Sequence, residues 1–547
     1  MIDSAPRSRA PRSPAVARHG MIATSEPLAS QVGVEILRRG GHAVDAAIAA
    51  NAMLGLVEPM SCGLGGDLFA IVWDARKRAL YGLNGSGRAP ARMTREAFHS
   101  RGFDRIPSRG PLSWSVPGCV DGWFALHERF GRRPMAELLA PAIARAKSGF
   151  PVAPVIAGAW ARARGLLAAD PVALKTFLVD GRAPVAGETM RNLDLAASLH
   201  AIAQGGRRAF YSGTLAERIA ACSASVGGLI AAEDLAAHRS SWVDPVSTDY
   251  RGHGVWELPP NTQGVAALEM LNILEGFGLG RMPRLSAEIL HLLIEAKKLA
   301  YEDRARYYAD PVFADVPIDA LLSDEHARRL RARIGERASQ AIGAEDPRLR
   351  RGDTVYLSVV DDERNAVSLI QSVFRAFGSG VVPAGTGFAM QNRGSLFSLD
   401  PDHPNCLEPG KRPFHTIIPA FVTHDGAPAF SFGVMGGDMQ PQGHVQILVN
   451  LLDFGLDVQA AGDAPRFRHD GSSTPTGDRM NDGGTVHLET GFPSEAVEGL
   501  RARGHRVEVC AADGDGFGGY QGIWIDAEAG ELRGGTESRK DGCALGY

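Results

Sequence analysis

The chain has 547 residues, 44% hydrophobic and 22% charged, with a formal net charge of −4. That length exceeds one ordinary core and predicts two domains or one large multilayer domain. The slightly acidic balance leaves no electrostatic footprint for nucleic acid, so small-molecule chemistry is the expectation.

Residues 1–20, rich in Arg, Pro, Ser and Ala without a continuous apolar stretch, read as a disordered tail rather than a secretory signal. No run reaches the ~18 apolar residues of a membrane span. The expectation is a cytoplasmic protein with no membrane partner. From Met21 on, Ser25 and Pro27 mark a helix start whose face is Leu28, Val32, Ile36 and Leu37, stopped at Gly40 and Gly41. A second helix, from Asp45 to about Leu56, is apolar all round and therefore buried. The glycine-rich run Ser61 to Asp67 precedes a strand over Leu68 to Trp73. It lacks the Lys-Ser/Thr pair of a phosphate loop and reads as tight backbone packing beside a core strand.

Residues 110 to 335 read as mostly helical, most clearly Ser286 to Ala309, where Ile289, Leu292, Leu293, Ala296, Leu299, Ala300 and Tyr307 form an apolar stripe. Gly335 to Asp353 is polar and reads as an exposed arm suited to being cut. Beyond it, Thr354 to Val360, Ala366 to Val373, Pro419 to Thr423, Ala429 to Val434, Val507 to Cys510 and Gly522 to Ile525 read as strands. His444 to Leu452 reads as a helix and Asp470 to Gly484 as a flexible loop.

Thr354 carries the sharpest chemical possibility. If the chain cleaves itself between Asp353 and Thr354, the threonine gains a free α-amino group that can serve as base for its own hydroxyl. The pKa of such an amine, about 7.7 to 8.0, leaves a useful neutral fraction near neutral pH. Taken alone, the stretch from Thr354 to Asp361 is equally an ordinary buried strand. Other chemistries recede: there is no G-x-S-x-G, no H-E-x-x-H and no Walker loop. The 16 histidines include no close pair at metal-ligand spacing, and the six cysteines, Cys62, Cys119, Cys222, Cys406, Cys510 and Cys543, show no C-x-x-C.

Several ordered blocks, among them VEPMSCGLGGDLF, HLLIEAKKLAYEDRARYYADP, GDTVYLSVVD, KRPFHTIIPA, GVMGGD and RKDGCALGY, resemble the γ-glutamyltranspeptidase family of N-terminal nucleophile hydrolases. The resemblance implies an α+β, four-layer αββα sandwich built from two autoproteolytic fragments, here residues 21–353 and 354–547. It also implies that the fragments of one precursor stay associated, with homo-oligomers possible, and that no metal or organic cofactor takes part. Thr354 falls at the family's nucleophile. Gly436 and Gly437 match the glycines whose N–H groups form an oxyanion hole in relatives, and Ser372 matches a hydroxyl residue near the nucleophile's amino group.

The departures concern the amino-acid clamp. Where γ-glutamyl-binding relatives place an arginine for the α-carboxylate, this chain aligns Ser86. Their asparagine and aspartate on the α-amino group align with Phe374 and Leu396, and two carboxylate-contacting serines with His415 and Thr416. Phe374 and Leu396 would leave a substrate ammonium unpartnered, at a cost of about 1 to 3 kcal/mol or more. A substrate without that group is expected, with Arg88, Arg375, Arg393 and His415 as candidate partners for a carboxylate. The segment from Phe397 to Lys411 is shorter than the pocket cover of some relatives, which suggests an open mouth and hydrolysis over transfer. The resemblance thus implies hydrolysis of γ-glutamyl or related small acidic acyl amides, as in glutathione hydrolase-like members, with oxamate amidohydrolase or glutaryl/cephalosporin acylase activity as the alternative. An uncleaved, inactive binding protein is the alternative of another class.

Overall fold

A computed structural model describes residues 12–341, 353–510 and 516–547. In the strand Asp353–Val360, alternate residues part company: Val355, Leu357 and Val359 join a core with the alanine-rich helix Ala43–Val57, while Tyr356 and Val360 enter a different one. That period-2 division is what a strand with helices on one side and a second sheet on the other requires.

The first sheet has seven antiparallel strands in the order Cys543–Gly546, Met21–Thr24, Asp353–Val360, Ala366–Phe374, Asp67–Asp74, Ala79–Gly85 and Ser241–Val243. The second runs Ala15–Ala17, Glu531–Thr536, Gly519–Asp526, Ala427–Met435, Ala420–His424, His253–Glu257 and Val246–Tyr250. Phe69, Ile71, Tyr356 and Ile370 of one sheet meet Phe421, Met435, Ile523 and Leu532 of the other in one buried core. On its outer side the second sheet turns Phe430, Phe432 and Val434 toward the helices Gly264–Glu275 and Ala287–Tyr307. Each fully buried side chain of this size contributes about 1.5–3 kcal/mol.

Most expected elements are present with shifted ends. The helix read from His444 starts at Met439, because Pro441 lies in its first turn, where a proline costs no intrahelical bond. The largely helical middle segment also supplies three short strands, Ser241–Val243, Val246–Tyr250 and His253–Glu257, which complete both sheets. The tail expected over residues 1–20 needs correction where it is described: Ala15–Ala17 pairs with the strand Glu531–Thr536, and Arg12 donates to Asp463 and to the Thr536 carbonyl. Backbone pairing and a charge-assisted contact outweigh the polar composition there. Of the arm expected over 335–353, residues 342–352 lie outside the described residues. Asp470 to Gly484 has no regular structure beyond its first residue, yet it is pinned by a bond from Lys297 Nζ to Ser472 Oγ and by the buried Asp478. No helix among the described residues is long and apolar enough to cross a membrane.

Candidate active site

Thr354 stands where the ladder between its strand and Ala366–Phe374 slips: Asp353 faces Phe374 while Val355 faces Gln371. An irregularity of this kind re-aims a side chain at the end of a strand. Thr354 is 2% exposed and its Oγ1 donates to Ser372 Oγ at 3.3 Å. Ser372 Oγ also accepts from the Phe374 N–H at 2.8 Å. That second bond helps hold Phe374 at φ 77°, a left-handed conformation that costs a bulky residue free energy. The glycine-rich run docks against the same strand end. A Cβ on Gly66 would lie 2.4 Å from the Ser372 carbonyl oxygen, so close backbone packing is the reason for the glycine.

Gly436 and Gly437 follow the strand Ala427–Met435 at φ 128° and 61°, which only glycine adopts without strain. Met435, their neighbour, packs in the same inter-sheet core as Tyr356, two residues from Thr354. A network grips the carbonyl side of this loop. Gln263 Nε2 donates to Gly437 O at 2.9 Å and to Thr416 O at 2.6 Å. Arg304 Nη1 donates to Gln263 Oε1 and to Asp438 Oδ1, both at 2.6 Å, and Tyr301 Oη donates to Asp438 O at 2.5 Å. Gln263, Tyr301 and Arg304 were not singled out from sequence, since nothing local marks a glutamine before one helix as the partner of a loop 174 residues on.

Arg393 is fully buried in a short helical turn, Arg393–Leu396. Its Nη1 donates to Thr416 Oγ1 at 2.7 Å and its guanidinium stacks 4.5 Å from the Phe374 ring centre, while Nε and Nη2 have no hydrogen-bond partner. Burial pushes the guanidinium down to about 9, against the pull of Asp67 and Asp438. The expected group Phe374, Arg393, Leu396 and Thr416 therefore does gather, with Leu396 also buried.

His415 takes a different partner. Its Nε2 lies 3.1 Å from Asp67 Oδ2, both residues fully buried. Burial and the nearby Arg393 hold the imidazole well below its usual range, so the ring is neutral and Nε2–H donates to Asp67. Asp67 Oδ1 accepts from Gly87 N, Gly118 N and Gln391 Nε2 at 2.9, 3.1 and 2.9 Å. Even so, burial raises the carboxyl to about 7. The acid ending the glycine-rich run was the available signal for Asp67, an ionisable residue entering a buried strand. Arg88 is drawn elsewhere, donating to Gly410 O at 3.0 Å and lying 3.6 Å from Asp310. Arg375 borders a cavity of about 470 Å³ together with Arg105, Ser395, Phe397 and Leu399. Neither Thr354 nor Phe374 lines it. Phe397, Leu399 and Leu407 pack down into a small core with Met93 and Phe98, so the short segment closes over its own side chains.

A threonine hydroxyl at a strand irregularity, bonded to a second hydroxyl, is a group that can take up an acyl chain once a base removes its proton. Among the described residues, the groups of histidine and carboxylate atoms close enough to share a metal ion do not include any of these residues.

A family model described as gamma-glutamyltranspeptidase matches residues 29–547. The glutathione hydrolase-like YwrD proenzyme of Bacillus subtilis is 40% identical over 527 residues, 96% of this chain and 98% of that protein. The oxamate amidohydrolase proenzyme of Klebsiella pneumoniae is 36% identical over 539 residues, 97% and 99% of the two chains. The crystal structure of cephalosporin acylase from Bacillus halodurans superposes with a TM-score of 0.92 at 44% identity, covering 100% of this chain and 99% of that one.

Proposed function

We propose that this chain, which belongs to the gamma-glutamyltranspeptidase family and is a hydrolase, cleaves itself before Thr354 and then hydrolyses amides of small acidic acyl groups through a threonyl ester. In maturation the Thr354 hydroxyl attacks the Asp353 carbonyl, the peptide shifts to an ester, and water releases the acid. The products are fragments ending at Asp353 and beginning at Thr354, held together as a four-layer αββα sandwich. In turnover the new α-amine takes the hydroxyl proton while Thr354 Oγ1 adds to the substrate carbonyl carbon. The Gly436 and Gly437 N–H groups receive the developing oxyanion. The ammonium then protonates the departing nitrogen, leaving an acyl ester that water, activated by the same amine, hydrolyses. Ser372 orients the hydroxyl.

The observation that carries the acidic acyl group is Arg393: buried, stacked on Phe374 and retaining two unpartnered nitrogens, Nε and Nη2, while Nη1 bonds the Thr416 hydroxyl. A buried guanidinium with spare donors favours a carboxylate. Phe374 and Leu396 offer an ammonium nothing, so glutaryl- or oxalyl-type amides suit the pocket better than γ-glutamyl compounds. Denaturing electrophoresis should give two fragments with Thr354 at the second N-terminus. Thr354→Ala should give one band and lower turnover on the order of 10⁴-fold or more. An active preparation with an unbroken chain would overturn the mechanism. A panel of glutathione, a γ-glutamyl anilide, glutaryl amides and oxamate tests the acyl group, and a clear preference for glutathione would overturn that part alone.

A further inference from the structure

Away from Thr354, three helices bring a second set of ionisable groups together. Glu269 of Gly264–Glu275, Asp303 of Ala287–Tyr307 and His326 of Asp324–Arg331 each direct one ligand-type atom into a space where all three lie within 4.8 Å of one another. Their separation in sequence hides them from any motif of close spacing. Glu269 is 1% exposed; its Oε1 accepts from Tyr308 Oη at 2.8 Å and its Oε2 has no hydrogen-bond partner. Asp303 Oδ2 lies 2.7 Å from His326 Nε2. Among the described residues, neither carboxylate forms an ion pair with a lysine or arginine, since the neighbouring Arg304 turns to Gln263 and Asp438.

Two facing carboxylates in a buried place repel unless a proton or a cation lies between them. A proton shared between Glu269 and Asp303 would answer both the repulsion and the Glu269 oxygen; a cation answers them too and engages the His326 nitrogen as well. We propose that Glu269, Asp303 and His326 bind one divalent cation of the zinc or manganese type. Two carboxylate oxygens and one imidazole nitrogen are the donors those ions accept, whereas sulfur-seeking metals are not served. Tyr308 fixes the Glu269 carboxylate from behind, the outer support that metal-binding carboxylates commonly have. The Asp303 and His326 side chains are 12% and 17% exposed, giving an ion a way in. Binding requires the His326 proton on Nδ1, so Arg329, an exposed side chain whose Nη2 lies 3.4 Å from that atom as a donor, has to move for the ion to bind. The ion fastens Asp324–Arg331 to the two helices that carry Tyr301 and Arg304 and, at its N-terminal end, Gln263. The other convergent group, His291, Glu295 and His505, is already satisfied. Glu295 pairs with Lys298 at 2.8 Å and the two imidazoles bond each other at 2.8 Å.

The test uses the full chain, stripped with chelator and then dialysed against Zn²⁺, Mn²⁺ or Co²⁺. The expected result is one equivalent of Zn²⁺ or Mn²⁺ retained, a Tm raised by about 2 °C or more, and a visible d–d absorption for Co²⁺. Glu269→Gln with His326→Gln should abolish retention and the Tm rise while Glu295→Gln preserves both. Should the double variant fail to fold, the cobalt spectrum of the unaltered chain decides, because a set of oxygen and nitrogen ligands from the protein gives a band that hexaaquo cobalt does not. No stoichiometric retention by the unaltered chain, or equal retention by a folded double variant, overturns the proposal.

Discussion

The Gly436–Asp438 loop and the Arg393 guanidinium share a neighbour, Thr416, and treat it in opposite ways. The loop side uses its backbone: Gln263 bridges Thr416 O and Gly437 O, with Arg304 holding Gln263 in turn. The carbonyls and carboxylate there have partners, although Arg304 Nε has none, and a largely satisfied buried network fixes one geometry. The Arg393 side uses the Thr416 hydroxyl for a single bond and leaves two nitrogens without an acceptor in a fully buried place. Buried donors without acceptors are scarce in folded proteins because each costs about 1–3 kcal/mol. The first region is held by its own bonds; the second keeps buried donors to which the proposed function assigns a substrate carboxylate.

That contrast is most sharply tested by removing each side separately. Gln263→Leu strips the loop of its bridge and leaves two carbonyls unanswered. The expected result is a fall in kcat of about 10- to 100-fold with KM nearly unchanged, because loss of a placed oxyanion donor has effects up to 10³-fold. The same variant should lose about 1–3 kcal/mol of folding stability. A raised KM with kcat intact would show that the loop shapes binding rather than the transition state.

Arg393→Met should act the other way on stability. It removes an under-partnered buried charge and fills the space with an apolar chain of similar length, so Tm should hold or rise. KM for an acidic acyl amide should rise about 10- to 100-fold, as expected for loss of charge-assisted hydrogen bonds worth 1.5–3 kcal/mol. Amides without a carboxylate should be hydrolysed as before. Thermal melts together with steady-state kinetics on both substrate types check this, and a large drop in Tm would mean that Arg393 is a structural strut.

How much of this was legible in the sequence depends on how local each signal is. The strand opened by Thr354 shows itself through Val355, Leu357 and Val359, whereas the paired glycines 436 and 437 stand out only through the family resemblance. Phe374, Arg393 and Thr416 were named as a group only because a family resemblance supplied the alignment, yet they do gather. The strands between Ser241 and Glu257 were hidden by brevity and by residues such as Ser247, Thr248 and Asp249, which suit edges facing water. Gln263, Arg304 and Asp67 escaped because their meaning lies in partners 134 to 348 residues distant. Periodicity reports faces; it does not report which faces meet.

Asp67 offers the smallest effect and the finest discrimination, because it belongs to neither extreme. It accepts three donors on one oxygen and His415 on the other, as a satisfied group should, yet burial raises it to about 7. An unfolded aspartate titrates near 3.9, so the folded state holds this proton more tightly. Its contribution is fully present below about pH 4 and is lost as pH climbs through about 7. His415, held below its ordinary value, works oppositely: its contribution is present above about pH 6.5 and fades as pH falls. Asp67→Asn keeps an acceptor for Gly87, Gly118 and Gln391 while removing the titration. In denaturant unfolding, the advantage of the unaltered chain over this variant should therefore shrink between pH 4 and 7 and level off above that. If the advantage instead widened with pH, the hydrogen bonds and Arg393 would outweigh desolvation, and Asp67 would belong with the largely satisfied loop rather than between the two regions.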